Sequence, residues 1–143
     1  MSHAITAAPK PRNVLIIDDD EDDVFLLMRA LRTVSSQLTI PVRVKRLRNG
    51  LEAASAVARG DLLGESFDIL IVDLNMPVMD GEKFLRVLRR GFKLENVRAV
   101  VLTTSEETSI HDAARQAGAD AVFTKPNTQT ELVTIVRTIL GVD

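Results

Sequence analysis

Five short apolar runs alternate along the chain with five segments whose apolar residues recur at helical spacing. The runs predict strands at 14–17, 42–47, 68–72, 99–102 and 121–124. The segments between and after them predict helices at 22–34, 50–60, 82–90, 106–118 and 129–140, the second of which should end at Gly60. Strands that alternate with helices predict βαβ units and a parallel sheet of α/β class.

The second run differs from the other runs because it alternates apolar and basic residues, as in Arg43, Lys45 and Arg46, with Arg48 just beyond. One interpretation is an edge strand whose charges prevent unwanted pairing with another chain. The other is a patch for nucleic acid or phosphate. No aromatic residues are interleaved for base stacking, which favours the edge strand.

The remaining organisation predicts one domain. We expect residues 1–12, which contain Pro9 and Pro11, to form a mobile tail, and residues 13–143 to form a single domain with no output domain. The start lacks the long apolar run of a signal peptide, and the apolar runs are too short to span a bilayer. We therefore expect a cytoplasmic protein. The net charge of −2 gives no strong attraction to nucleic acid or membrane.

Composition narrows the possible metal chemistry. The chain has no cysteine, which excludes disulfides, thiolate catalysis and cysteine-ligated metals. Its two histidines, His3 and His111, are far apart in the sequence, and we expect His111 to be a surface residue of a helix. A metal site would therefore use oxygen ligands, which favours Mg²⁺, Ca²⁺ or Mn²⁺.

Polar residues whose side chains could bind a metal or take part in a reaction follow four of the five predicted strands. Asp18 and Asp19 follow the first strand, Asp73 the third, Thr103 the fourth and Lys125 the fifth. In an open parallel sheet, ligands bind outside the carboxyl ends of the strands, so these side chains should meet in one crevice. Carboxylates there could hold Mg²⁺, while Asp73 acts as a nucleophile and Lys125 and Thr103 contact a phosphoryl group.

Helix capping is a simpler explanation for some of the six acidic residues at 18–23. Acidic residues stabilise helix N-termini, which accounts for Asp22 and Asp23 and could account for Asp20. Capping explains Asp18 and Asp19 less well, because they directly follow the strand and precede the helix. Adjacent carboxylates in a crevice repel each other, which suggests that a cation lies between them.

The chain resembles the receiver domain of two-component response regulators in the segments "VLIIDDD", "VDLNMPVMDG", "VVLTTS" and "FTKP". The resemblance implies a doubly wound, flavodoxin-like (βα)5 fold with five parallel strands in the order 2-1-3-4-5. It also implies that Asp73 accepts a phosphoryl group and that Asp18 and Asp19 serve Mg²⁺, for which Mn²⁺ or Ca²⁺ can substitute. Asn75 would lend its backbone carbonyl to the metal. By the same resemblance, Thr103 is the switch hydroxyl, Lys125 contacts the phosphoryl group, and Pro126 follows a cis peptide bond.

The resemblance implies a single-domain response regulator, a signalling phosphoacceptor rather than an enzyme, with slow self-phosphorylation and autodephosphorylation. Its partner would be a sensor histidine kinase or a phosphotransfer protein. The style of the motifs is similar to that of regulators paired with bacteriophytochrome kinases. A homodimer could form through apolar residues near the fifth helix: Val122, Phe123 and Val133. The usual aromatic switch position holds Val122 instead.

Three alternatives remain at this point. A receiver that works without phosphorylation could act as an interaction module. A flavodoxin-like FMN-binding module shares the architecture, but the six acids at 18–23 would repel its phosphate. A haloacid-dehalogenase-type phosphatase also uses an aspartate nucleophile at a strand end, but its second aspartate is replaced here by Asn75.

Overall fold

A computed structural model describes residues 11–63 and 67–142, within which five parallel strands form one sheet in the order β2-β1-β3-β4-β5. The strands are β1 (Arg12–Ile17), β2 (Val42–Leu47), β3 (Ile69–Val72), β4 (Arg98–Thr103) and β5 (Ala121–Thr124). The helices are α1 (Glu21–Ser35), α2 (Gly50–Leu63), α3 (Gly81–Arg86), α4 (Thr108–Ala117) and α5 (Gln129–Leu140). The predicted doubly wound fold and strand order are confirmed.

The sheet separates two hydrophobic clusters, one on each face. In β1, Val14 and Ile16 pack with α1 and α5, whereas Leu15 and Ile17 pack with α2, α3 and α4. All four residues of β3 are likewise buried. Burying an aliphatic side chain of this size contributes about 1.5–3 kcal/mol relative to exposure. Both faces of the central strands are therefore apolar, as parallel strands covered by helices require.

The basic strand β2 lies at one edge of the sheet, as predicted. Arg43 and Lys45 are exposed, and Val44 between them is also partly exposed. Charged side chains on an edge strand oppose pairing with another chain. The edge position agrees with this interpretation of the basic pattern.

Some predicted boundaries were wrong. The second helix continues through Gly60 to Leu63, because a glycine inside a helix costs only about 1 kcal/mol relative to alanine. The third predicted helix is regular only to Arg86 and ends in a π-helical turn, Val87–Gly91. β1 begins at Arg12, one residue before the predicted start of the domain, while residues 1–10 of the predicted tail lie outside the described residues.

Helices begin close to the carboxyl end of the sheet, and aspartate side chains cap α1 and α3 there. Asp20 caps α1 by accepting a hydrogen bond from the Asp23 backbone N–H, and Asp80 caps α3 in the same way through Lys83. Such caps contribute about 1 kcal/mol each. None of the described helices combines the length and the apolar character needed to cross a bilayer.

Candidate functional site

Three aspartates meet at the carboxyl ends of β1 and β3. The register pairs Ile17 with Val72, so the residues that follow them, Asp18 and Asp73, are neighbours across the two strands. Asp18, Asp19 and Asp73 each offer a carboxylate oxygen within 4.8 Å of the others. Asp18 and Asp73 are buried, whereas Asp19 is exposed. The structure thus brings together the three carboxylates that the sequence predicted.

Lys125 reaches this group from the end of β5. Its Nζ lies 3.1 Å from Asp18 Oδ2 and 3.5 Å from Asp73 Oδ1. Its backbone N–H donates to the Thr103 carbonyl at 2.7 Å, which fixes the end of β5 beside β4. The peptide bond that follows Lys125 is trans, so the expected cis bond before Pro126 was wrong.

The group holds more negative than positive charge. The pKa of Asp73 is raised from its ordinary value of 3.8 to about 6, chiefly by burial. The Lys125 charge opposes this shift in the pKa, and the neighbouring Asp18 charge contributes to it. The carboxylate of Asp73 is therefore ionised at neutral pH at a free-energy cost. The carboxylates of Asp18, Asp19 and Asp73 carry more negative charge than the Lys125 ammonium beside them can balance. This excess of negative charge favours the binding of a cation.

The pKa of Lys125 responds to the same surroundings. Burial alone would lower it, but a hydrogen bond to Asp23 and the charges of Asp73 and Asp18 raise it above the ordinary value. Lys125 is thus held as an ammonium ion among carboxylates. It supplies one fixed positive charge beside Asp73.

The carboxylates fit a hard divalent cation. Three carboxylate oxygens within 4.8 Å of one another, one of them solvent-exposed, form the kind of oxygen donor set that Mg²⁺ or Mn²⁺ takes while keeping several waters. Part of the cluster's excess negative charge would be neutralised by such an ion. Asp18, Asp19 and Asp73 are therefore the residues that would hold a metal.

The two other predicted site residues lie nearby with different exposure. Thr103 is buried at the end of β4, where its Oγ1 accepts a hydrogen bond from the Ser105 backbone N–H at 3.1 Å. Asn75 is exposed in the β3–α3 loop, two residues after Asp73. Its metal-binding carbonyl and the switch role of Thr103 remain predictions.

His111 is more confined than we expected from the sequence. It is partly buried, and its Nε2 is 2.7 Å from the Ser105 carbonyl oxygen, to which it can donate a hydrogen bond. The Thr124 hydroxyl also approaches that oxygen, at 3.4 Å. His111 therefore holds the β4–α4 loop next to Thr103, because the loop carbonyl supplies the acceptor that its ring needs.

Sequence reasoning missed the contact between Asp23 and Lys125, which is the shortest that Nζ makes, at 2.7 Å. The sequence indicates only a helix-capping role for Asp23, because nothing in the sequence distinguishes it from Asp22. The contact arises because the first turn of α1 faces the end of β5 in the folded chain.

Sequence reasoning also missed the role of two basic residues at the end of β2, Arg46 within the strand and Arg48 just after it. Arg46 donates from Nε to the Asp18 backbone carbonyl at 2.9 Å and from Nη1 to Glu21 at 3.1 Å. Arg48 also bonds Glu21, and the hydrogen bonds from Arg48 and Arg46 lower the pKa of Glu21. The Arg46 guanidinium thus connects the edge strand to the loop that presents Asp18.

A glycine permits the loop after Asp73 to fold tightly. A Cβ atom on Gly81 would lie 2.2 Å from the Asp73 carbonyl oxygen, so no larger residue fits without movement of the backbone. The Gly81 N–H donates to the Leu74 carbonyl at 3.0 Å. This close approach brings the start of α3 against the residue that the sequence predicts to be the nucleophile.

Comparison with known proteins agrees with this geometry. Residues 14–137 match the family model of the response regulator receiver domain. The chain is 32% identical over 140 residues to the transcriptional regulatory protein PrrA of Mycobacterium tuberculosis, covering 94% of this chain and 52% of PrrA. It thus spans about half the length of that curated relative.

Two solved structures share the fold along most of their length. The Mn²⁺-bound form of the response regulator Rcp1 is 27% identical, with a TM-score of 0.73, and the match covers 90% of this chain and 91% of Rcp1. The phosphorylated cyanobacterial phytochrome response regulator RcpA is 25% identical, with a TM-score of 0.76 and 90% coverage of both chains. With its family motifs, strand order and acidic cluster in agreement, the chain belongs to the response regulator receiver domain family.

Proposed function

We propose that this chain is a single-domain response regulator in which Asp73 accepts a phosphoryl group in a Mg²⁺-dependent reaction. The observation that supports the proposal most strongly is the convergence of Asp18, Asp19 and Asp73 within 4.8 Å, with the Lys125 ammonium beside them. The buried position of Asp73 leaves its carboxylate poorly solvated, which favours its use as a nucleophile.

In the proposed reaction, an oxygen of Asp73 forms a bond to phosphorus while the bond between phosphorus and the donor breaks. The electron pair of the broken bond leaves with the donor, and Asp73 becomes an acyl phosphate. The Lys125 ammonium stabilises the negative charge of the phosphoryl oxygens. Bound Mg²⁺ or Mn²⁺ would neutralise further charge on those oxygens. We place the cation at Asp18, Asp19, Asp73 and the Asn75 carbonyl, with Ca²⁺ as a further substitute.

The proposed donor is a sensor histidine kinase or a phosphotransfer protein. Two exposed apolar residues follow Asp23 in the first turns of α1, where Phe25 is 59% exposed and Leu26 is 40% exposed. Phe25→Ala should slow transfer from a phosphorylated phosphotransfer protein by about fivefold, because exposed aromatic residues often dominate an interface. Labelling by acetyl phosphate should not change, and equal slowing of both donors would argue against this docking surface.

RcpA is a phytochrome response regulator, which supports a bacteriophytochrome as the kinase for this chain. We also retain the homodimer as a proposal. The residues that suggested it, Val122, Phe123 and Val133, are half-buried and pack against the two core clusters. A monomer at every concentration in sedimentation, with and without BeF₃⁻, would rule the homodimer out.

The phosphoryl site can be located by chemistry. Borohydride reduces an aspartyl phosphate to homoserine, so peptide mass analysis after labelling with acetyl phosphate and Mg²⁺ should find homoserine at position 73. Asp73→Asn should give no homoserine anywhere in the chain. Homoserine at another aspartate would refute Asp73 as the acceptor while leaving the phosphorylation itself intact.

A further inference from the structure

Lys125 has three carboxylate neighbours, and the nearest of them stands outside the candidate metal group. Its Nζ is 2.7 Å from Asp23, 3.1 Å from Asp18 and 3.5 Å from Asp73. Asp18 and Asp73 belong with Asp19 to the group that could hold a cation. Asp23 therefore contacts the ammonium without being a member of that group.

The position of Asp23 in α1 leaves its carboxylate available for this contact. The backbone N–H of Asp23 already donates to the capping oxygen of Asp20 at 3.0 Å. The side chain is not needed to complete the cap, and it extends instead toward the end of β5. The Asp23 side chain is 36% exposed and that of Lys125 only 15%, so solvent screens the pair in part.

We propose that Asp23 is a positioning residue that keeps the Lys125 ammonium beside Asp73 when a divalent cation occupies the acidic group. This inference rests on the phosphoacceptor function proposed above. A cation shared by Asp18 and Asp73 neutralises those carboxylates and repels the ammonium. Of the three carboxylates that contact Lys125 in the described part of the chain, only Asp23 would then keep a charge that the cation does not neutralise.

The neighbouring Asp22 provides a matched control. It lies in the same turn of α1 and is exposed, and none of the described contacts joins it to Lys125. Asp22→Asn and Asp23→Asn remove the same charge from almost the same place. A difference between the two variants therefore reports the contact with Lys125 rather than the net charge near the site.

The kinetic test measures how fast the phosphoryl adduct forms from acetyl phosphate at saturating Mg²⁺. Asp23→Asn should slow adduct formation by about fivefold, the effect expected from losing a partly screened ion pair. Asp22→Asn should stay within about twofold of the wild type, since exposed charges without a fixed partner contribute little. In a Lys125→Met background, Asp23→Asn should cause no further slowing.

A second test needs neither phosphate nor metal. Urea unfolding of the wild type, Asp23→Asn, Lys125→Met and the double variant, all with EDTA, gives the coupling between the two side chains. The double variant should lose less stability than the sum of the two single variants. Asp23→Ser is a second neutral variant for both tests should Asp23→Asn fail to fold.

Equal rates for Asp23→Asn and Asp22→Asn would overturn the proposal, as would slowing that persists in the Lys125→Met background. Faster labelling of Asp23→Asn would also overturn it, because Asp23 would then restrain Lys125 rather than position it. These results are distinct from a failure of the proposed function. In that case the wild type itself would form no adduct, whereas a failure of this inference leaves wild-type labelling at Asp73 intact.

Discussion

The two ends of the central sheet each hold a basic side chain among oxygen acceptors, but their charges balance differently. At the amino end, the Arg89 guanidinium donates to the carbonyls of Gly118, Leu94 and Val97 and to the carboxylate of Asp120. The same Asp120 oxygen accepts the Ala99 backbone N–H at 2.8 Å. Three of the four acceptors are neutral carbonyls, so a single carboxylate faces the single cation.

At the carboxyl end, one ammonium faces the carboxylates of Asp18, Asp23 and Asp73 at once, with Asp19 close by. The charges at the amino end balance without a further ion, as expected for a structural connection between the π-helical turn after α3 and the starts of β4 and β5. The carboxyl end is incomplete in the sense that its carboxylates outnumber its ammonium group, and this excess of negative charge favours the binding of a further cation. The contrast separates an ion pair that stabilises the fold from the one to which we assign a role in the proposed phosphoryl transfer.

The largest effect should come from Arg89→Ala, which removes the centre of the amino end. We expect the free energy of unfolding to fall by about 4 kcal/mol, or about 1 kcal/mol for each of the four hydrogen bonds. Urea denaturation measures it. The exposed neighbour Arg90 is the matched control, and Arg90→Ala should cost less than about 0.5 kcal/mol. Equal losses in both variants would contradict a structural role for the Arg89 centre.

The carboxyl end should make stability depend on pH. Because the pKa of Asp73 is raised from 3.8 to about 6, the folded chain binds a proton between these values that the unfolded chain does not. Stability should therefore fall as pH rises from about 4 to about 6, by about 3 kcal/mol in total, and level off above that. The measurement is urea unfolding across this window in EDTA, and Asp73→Asn should lack this part of the slope.

At neutral pH, Asp73→Asn should stabilise the metal-free protein by about 2 kcal/mol, since it removes a buried charge that is repelled by Asp18. Thermal unfolding with EDTA checks the sign. A less stable Asp73→Asn would mean that the carboxyl end is as well balanced as the amino end.

The smallest effect concerns strain in the loop after Asp73. Val78 has a φ of 69°, and the Met79 N–H donates to the Pro77 carbonyl at 2.7 Å, which closes a γ-turn of the rarer hand. A β-branched residue is strained there, and Val78 is 77% exposed and so loses little packing on truncation. Val78→Gly should stabilise the protein by about 0.5–1 kcal/mol.

Val78→Ala keeps the Cβ atom and is the control for this strain. It should show less than half of the glycine effect in urea unfolding. If both variants stabilise the protein equally, the strain comes from the branched side chain and not from the backbone angle. If neither does, the loop holds no strain at Val78.

The periodicity of the sequence was sufficient to predict the parallel α/β class because the apolar runs are short and separated by helical segments, whereas the strand order followed from the family resemblance. Strand β1 shows why, since its alternating residues are buried on both faces, as expected for a parallel strand covered by helices on each side. Boundaries were harder to predict. Gly60 did not stop α2, and α3 ends in a π-helical turn, followed by Lys93 at a φ of 54°, for which the sequence gives no signal.

The site was predictable where residues directly follow strands and not where they approach through space. Asp18, Asp73 and Lys125 were identified because parallel strands bring their carboxyl ends to one edge. Asp23 and Arg46 were missed because their roles depend on side chains that reach across from α1 and from β2. Alternation and motifs describe a strand or a helix by itself, and they do not describe such contacts.

The most direct test of the incomplete carboxyl end is the intact mass after incubation with acetyl phosphate, with Mg²⁺ or with EDTA, for the wild type and Asp73→Asn. We predict a single phosphoryl adduct on the wild type that requires Mg²⁺ and is absent from Asp73→Asn. No adduct on a folded wild type with Mg²⁺ present would contradict the account and favour a receiver that acts as an interaction module without phosphorylation.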